Sequence, residues 1–144
     1  MGQLTRAYNK SGTIRFDALR EMRAKHPSIL GELSWANVYE RPDLQIAAIT
    51  LKLRDDHKNF RETPDWIYFT DAAYNGGVAG VQRDRRACTL ASWCDPNKWF
   101  GNVELTCTKS KRPLYGNRSA CDINRHHVVD VMKRSEKYKY LWKK

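Results

Sequence analysis

The sequence predicts an all-α domain interrupted by one irregular, cysteine-stapled segment. Three observations carry that expectation. Apolar residues recur at helical spacing in stretches bounded by start and stop signals, and no stretch sustains the alternation of a half-buried strand. All four cysteines, Cys88, Cys94, Cys107 and Cys121, fall in a part of the chain that also holds Pro96, Gly101, Pro113 and Gly116. A chain of 144 residues is long enough for one domain with a core of its own, so a single domain over 1–144 is expected.

The helices follow in order. Positions 16–26 (FDALREMRAKH) set Phe16, Leu19 and Met22 on one face with charge elsewhere, and Pro27 follows as a stop, which predicts a short amphipathic helix. Arg41-Pro42-Asp43 opens a longer helix to about Asn59, carrying Leu44, Ala47, Ala48 and Leu51. Thr63-Pro64-Asp65 then reads as a start signal, with Thr63 as N-cap, proline at the first helical position and a carboxylate at the positive end of the helix dipole. That helix is expected over 66–74, ended by Asn75-Gly76-Gly77, because glycine tolerates the left-handed conformation of a helix terminus. A short basic helix is expected over 80–86, loops and turns over 88–121, and a closing helix over 123–140 with Val128, Val131 and Met132 on its apolar side.

Composition narrows the function classes. With 41% hydrophobic and 29% charged residues, collagen-like, low-complexity and wholly disordered chains are excluded. The strongest apolar run, 46–53, is broken by Thr50 and Lys52 and falls short of the ~18 residues a membrane span needs. A soluble protein is therefore expected. The opening residues show neither a secretion signal nor a myristoylation pattern, so work outside the cytoplasm would need another means of delivery. The net charge is +10, and positions 109–144 alone hold eleven basic residues against three acidic ones. This bias points to an anionic partner, either nucleic acid or the phosphate- and carboxylate-bearing polymers of a bacterial envelope, unless it only solvates a helix face.

The cysteines lack the C-x-x-C pair that usually opens a structural zinc site, so no metal is expected there. Two disulfides in an oxidising compartment fit better, with four buried thiols as the alternative. Of the three pairings, closure entropy favours Cys88–Cys94 with Cys107–Cys121. The histidines His26, His57, His126 and His127 show no ligand spacing beyond one adjacent pair, and adjacent helix residues point apart. No cofactor is expected.

The stretch Thr70-Asp71-Ala72-Ala73-Tyr74-Asn75-Gly76-Gly77 is the best candidate for chemistry. Small residues at Ala72 and Ala73 permit close helix approach, and Tyr74 and Asn75 arrive at the helix end beside two glycines. Asparagine can donate to and accept from an acetamido group, and tyrosine can stack on a sugar face. The alternative is an ordinary helix stop with a packed tyrosine. Asp71, one turn before Asn75, lies near the same face and is a candidate acid, or else the partner of Arg85 or Arg86.

The AYNGG of Ala73 to Gly77 resembles the A-Y-N-x-G signature of the lysozyme-like lytic transglycosylases, which cleave the MurNAc-GlcNAc bond of peptidoglycan. Phage-type members are similar over most of the chain. Gly2-Gln3-Leu4-Thr5-Arg6-Ala7-Tyr8 looks like the family's G-x-x-Q segment. Phe16-Asp17-Ala18-Leu19, Leu33-Ser34-Trp35, Arg41-Pro42-Asp43-Leu44-Gln45, Trp99-Phe100-Gly101-Asn102-Val103-Glu104 and the closing Tyr-rich helix follow in the family's order. The resemblance implies a lysozyme-like helical fold in which Gln3, Tyr74 and Asn75 line a glycan cleft. It implies peptidoglycan strands as partner, and a periplasm, cell envelope or phage particle as location.

Two departures bear on activity. The family's catalytic glutamate precedes its G-x-x-Q segment, and here the chain opens with that segment. The acid that protonates the glycosidic oxygen and then assists the MurNAc O6 attack is thus expected to be missing, which leaves the catalytic residue unassigned and Asp71 a candidate substitute only. Glu32, Glu40 and Glu104 are expected to be surface or structural carboxylates. Where many members carry Tyr-Val in the last helix, this chain has His127-Val128. The resulting expectation is glycan binding rather than cleavage by a domain that is destabilised or completed by another chain. The alternatives are an interaction protein on the same fold, with a host protein as partner, and a nucleic-acid binder that uses Tyr115, Tyr138, Tyr140 and Trp142 among its lysines.

Overall fold

A computed structural model describes residues 4–142. The chain divides into two compact units, Met1–Asp55 and Asp56–Lys144.

In the first unit, strands β1 (Arg6–Tyr8) and β2 (Ile14–Asp17) form an antiparallel hairpin, with Arg6 opposite Asp17 and Ala7 opposite Phe16. Helices α1 (Ala18–Lys25), α2 (Pro27–Leu30) and α3 (Pro42–His57) follow. Asp17 joins strand to helix. Its Oδ1 accepts from the Arg20 amide at 2.9 Å as the N-cap of α1, the Trp35 indole N–H donates to its two oxygens at 3.1 and 3.0 Å, and Arg6 Nε lies 3.2 Å away. Burial alone would raise its pKa, but the Arg20 amide, the Trp35 N–H and the Arg6 charge hold the carboxyl below its usual range. The Arg6 guanidinium also lies over the Trp35 ring, 4.5 Å from its centroid. Leu19, Met22, Leu30, Leu33, Val38, Ala48 and Leu51 form the core of this unit, and Gln45 Nε2 donates to the Val38 carbonyl beside them.

The second unit contains α4 (Trp66–Gly76), α5 (Val78–Thr89), a 3-10 turn (Val103–Thr106), the hairpin β3 (Pro113–Tyr115) with β4 (Arg118–Ser119), α6 (Ala120–Ser135) and a 3-10 segment (Glu136–Trp142). Its core is Phe60, Phe69, Ala72, Ala73, Val81, Cys88, Trp99, Val103 and Val128. Phe69 stacks on Phe60 at 5.7 Å and meets Trp99 edge-on at 5.5 Å. Both disulfides form in the pairing that closure entropy favours, Cys88–Cys94 and Cys107–Cys121, and no cysteine is free.

The all-α expectation is overturned. The fold is helix-rich and mixed, with two small antiparallel sheets beside six α-helices among the described residues. The strands escape a pattern search because they are two to four residues long and mostly exposed, too short to show a period of two. Phe16 accordingly lies on β2 rather than on α1. At the start of α4 the N-cap position belongs to Asp65, not Thr63. Thr63 Oγ1 donates back to the Phe60 carbonyl at 2.8 Å, while Asp65 Oδ2 accepts from the distant Trp99 amide at 2.7 Å. The last helix begins earlier than expected because Ser119 and Asp122 form a capping box, and it tightens into 3-10 geometry at Glu136.

One buried ion pair ties the second unit together. Asp84 on α5 is fully buried and accepts from the Thr108 amide at 2.7 Å, from Thr108 Oγ1 at 2.6 Å and from Arg125 Nη2 at 2.8 Å. Arg125 on α6 donates further to the carbonyls of Glu104 (2.9 Å) and Val103 (3.1 Å) and to Asn124 Oδ1 (2.7 Å), its guanidinium lying 4.8 Å from the Trp99 centroid. Removing one partner leaves the other largely buried without its counter-charge. Asp84→Ala is expected to lower unfolding stability by about 3–5 kcal/mol, and Asp84→Ala with Arg125→Met by less than the single change, as read by denaturant titration of the variants.

Candidate functional site

The site is built on the C-terminal half of α4, where Phe69, Thr70, Asp71, Ala72 and Ala73 are buried, Tyr74 is half-buried and Asn75 is exposed. Alanines at 72 and 73 keep this helix free of bulk where it packs into the core with Val81 of α5 and Val128 of α6. The Gly77 amide donates to the Ala73 carbonyl at 2.7 Å, and Gly77 has φ of 80°, the conformation for which glycine is suited at a helix end.

Asn124 of α6 organises that end. Its side chain is buried, and Nδ2 donates to the Ala72 carbonyl at 2.9 Å and to Asn75 Oδ1 at 3.0 Å, while its own oxygen accepts from Arg125. A chain of contacts thus runs from buried Asp84 through Arg125 and Asn124 to the exposed Asn75. Since the Asn75 oxygen already accepts one bond, its NH2 group remains as donor for anything that approaches from solvent.

Two titratable groups flank Tyr74. Asp71 is buried and its Oδ2 has no hydrogen-bond partner among the described residues; its Oδ1 lies 3.9 Å from His127 Nε2. Burial pushes the Asp71 carboxyl up to about 7. Burial likewise lowers the His127 pKa, with Asp130 acting in the opposite direction. Burial thereby shifts both groups toward their neutral forms. The His127 ring centroid lies 6.2 Å from that of Tyr74.

Lys109 closes the end of α4 from the far side. Its Nζ donates to the Gly76 carbonyl at 2.8 Å, a favourable position for a cation at the negative end of a helix dipole. Burial lowers its pKa, the nearby Asp84 acting to raise it. The glycines leave room for these contacts: a Cβ on Gly80 would displace the Lys109 ammonium, and one on Gly76 would meet the buried Asn124 Nδ2 at 2.7 Å.

Of the residues expected from sequence, Tyr74, Asn75 and Asp71 are therefore brought together on α4, and Gln3 lies outside the described residues. The expected pairing of Asp71 with Arg85 or Arg86 does not form, because Arg85 donates instead to the Pro96 carbonyl and Asn97 Oδ1, each at 2.8 Å. Glu104 Oε1 accepts from the Gly101 amide at 2.7 Å, and Glu32 pairs with Arg41 at 3.0 Å. His126 and His127 do diverge, His126 Nδ1 lying 2.8 Å from the Asp122 carbonyl. No group of His, Cys, Asp and Glu among the described residues is placed to hold a metal, and no described helix is long and apolar enough to cross a membrane.

Asn124, Arg125, Asp84 and Lys109 were not singled out from sequence, yet two of them carry a signal. Asp84 sits between Val81 and Cys88, and Asn124 between Cys121 and Val128, each three residues after and four before a buried neighbour. A polar residue in the middle of such a stripe faces the interior and must find a partner. No family model matches the chain, and comparison with curated proteins and with solved structures finds no significant match.

The Asp71 environment has a pH signature. The folded protein keeps this proton up to about pH 7, whereas an unfolded aspartate releases it near pH 4. Between those values the folded state binds more protons, so the Asp71 contribution is fully present below the unfolded pKa and is lost as pH rises through about 7. Asp71→Asn, which cannot ionise, is expected to gain in melting temperature relative to the wild type as pH rises from 4 to 8. A difference that stays constant across that range would contradict the burial argument.

Proposed function

We infer that the 56–144 unit is a recognition module for acetamido-sugar strands of peptidoglycan, and that it binds glycan rather than cleaving it. The observation that carries this reading is the exposed Asn75 amide, oriented by buried Asn124 with its NH2 left to donate. An acetamido carbonyl is a matching acceptor, and half-buried Tyr74 supplies an adjoining aromatic side chain. The AYNGG resemblance points to the same pair of residues.

The carboxylates favour binding over catalysis. A general acid must reach the glycosidic oxygen within hydrogen-bond distance, and the unpartnered oxygen of Asp71 is sealed from solvent. Glu104 is tied to a backbone amide in its own loop. The two disulfides suit work in an oxidising compartment, such as a bacterial envelope, or in a phage particle.

The test is co-sedimentation with purified peptidoglycan, with mass spectrometry of the soluble fraction. The wild type is expected to pellet with the polymer and release no 1,6-anhydro products. Asn75→Ala is expected to weaken binding about tenfold, the loss of roughly one hydrogen bond. A wild type that stays in the supernatant defeats the reading, and 1,6-anhydro products that disappear in Asp71→Asn replace binding by cleavage.

A further inference from the structure

The segment over 109–118, KSKRPLYGNR, holds four basic residues and no acid. Residues 110–118 are all exposed, Tyr115 at 79% and Leu114 at 59%, so the hairpin contributes almost nothing to the core. β3 and β4 are joined through Gly116, whose φ of 55° fits the tight reversal. An isolated ribbon this short has little stability of its own. Its feet, however, are held at several points: Thr108 on Asp84, Lys109 on the Gly76 carbonyl, the Cys107–Cys121 disulfide, and the Ser119–Asp122 capping box. Firm anchorage of an exposed tip is what a docking element needs.

The tip is also uncompensated. Among the described residues no carboxylate forms an ion pair with Lys111, Arg112 or Arg118, and Arg118 acts on Asp122 only through space. The hairpin starts beside the candidate site, since Lys109 bonds the carbonyl of the residue that follows Asn75.

The geometry points to this hairpin as a docking surface for acidic peptide stems carried by the glycan strand that Asn75 engages, an assignment that rests on the glycan reading above. Arg112, Arg118 and Lys111 match carboxylates, and Leu114 and Tyr115 match the small apolar side chains of such a stem. A phosphodiester polymer fits less well, because it calls for cations spread along a track. Here Lys111, Arg112 and Arg118 cluster on one short projection, whereas Lys133 and Arg134 lie in the last turn of α6, a helix of 16 residues and about 24 Å that starts next to β4, and Lys137 and Lys139 follow it.

The experiment uses the full chain and two soluble probes: glycan strands bearing their peptide stems, and the same strands stripped by an amidase. The wild type is expected to bind the stemmed strands about tenfold more tightly, with an advantage that shrinks at high salt. Arg112→Ala with Arg118→Ala is expected to bring stemmed binding down to the stripped value and leave stripped binding unchanged. Both are surface changes, and an unaltered melting temperature shows that the fold is kept. Equal wild-type affinity for both probes, still lost in Asn75→Ala, overturns the hairpin assignment while the glycan reading stands. Binding of neither probe overturns both. Tighter binding of a single-stranded oligonucleotide than of stemmed glycan, lost in the arginine double variant, overturns the stem assignment in favour of nucleic acid.

Discussion

The second unit depends on the Asp84–Arg125 pair. Three chain segments far apart in sequence meet there: α5 through Asp84, the 3-10 turn through the carbonyls of Val103 and Glu104, and α6 through Arg125. Thr108 adds a fourth, with amide and hydroxyl both on the same carboxylate oxygen. Burying two ions is costly and is tolerated only when their remaining donors and acceptors are met. That condition holds here, because each guanidinium nitrogen of Arg125 donates to an acceptor within the unit. The pair therefore joins α5, α6 and the intervening loops through one set of satisfied hydrogen bonds.

The irregular part of the chain makes sense against that requirement. Between α5 and α6 the backbone has little regular structure, and few apolar residues hold it down: Trp99 and Val103 are buried, but Trp93, Phe100, Leu105, Leu114 and Tyr115 are exposed. The two disulfides and the hydrogen bonds to Asp65, Asp84 and Gly76 do what a core does elsewhere. Cross-linking Cys107 to Cys121 restricts the unfolded chain and holds Thr108 and Lys109 close to α6, within reach of their acceptors. The candidate site inherits its order from the same anchors, since Lys109 caps the helix that ends in Tyr74 and Asn75.

How much of this was legible follows from the length scale of each signal. The longer helices were readable because their apolar spacing spans several turns, the one-turn helix Pro27–Leu30 was not because Pro27 reads as a stop, and the disulfide pairing followed from loop closure. Arg6–Tyr8 and Arg118–Ser119 were not readable as strands, since two or three residues are too few to carry a period. The start of α4 was misplaced by local logic: Thr63-Pro64 has the composition of a cap, but Asp65 is drawn to the Trp99 amide, a contact no local rule contains. Of the site, Tyr74, Asn75 and Asp71 lie within five residues and were visible together. Asn124 and His127 come from a helix some fifty residues later and were brought in by packing alone.

Asp71 shows why a raised pKa and a catalytic role have to be argued separately. Its carboxyl is protonated to about pH 7 because burial penalises the charge, and the same burial closes its free oxygen to solvent. A catalytic acid needs the first property without the second. The neighbouring His127 does not repair this, since it too is held toward neutrality by burial and stands 3.9 Å away, beyond a good hydrogen bond. Asn75, one turn further along α4, has the opposite balance: no titratable group, a solvent-exposed side chain, and an orientation held by Asn124. Along a single turn the helix passes from a group with the protonation but not the access to one with the access but no proton to give. The second arrangement suits recognition, and acid chemistry would require the first to move.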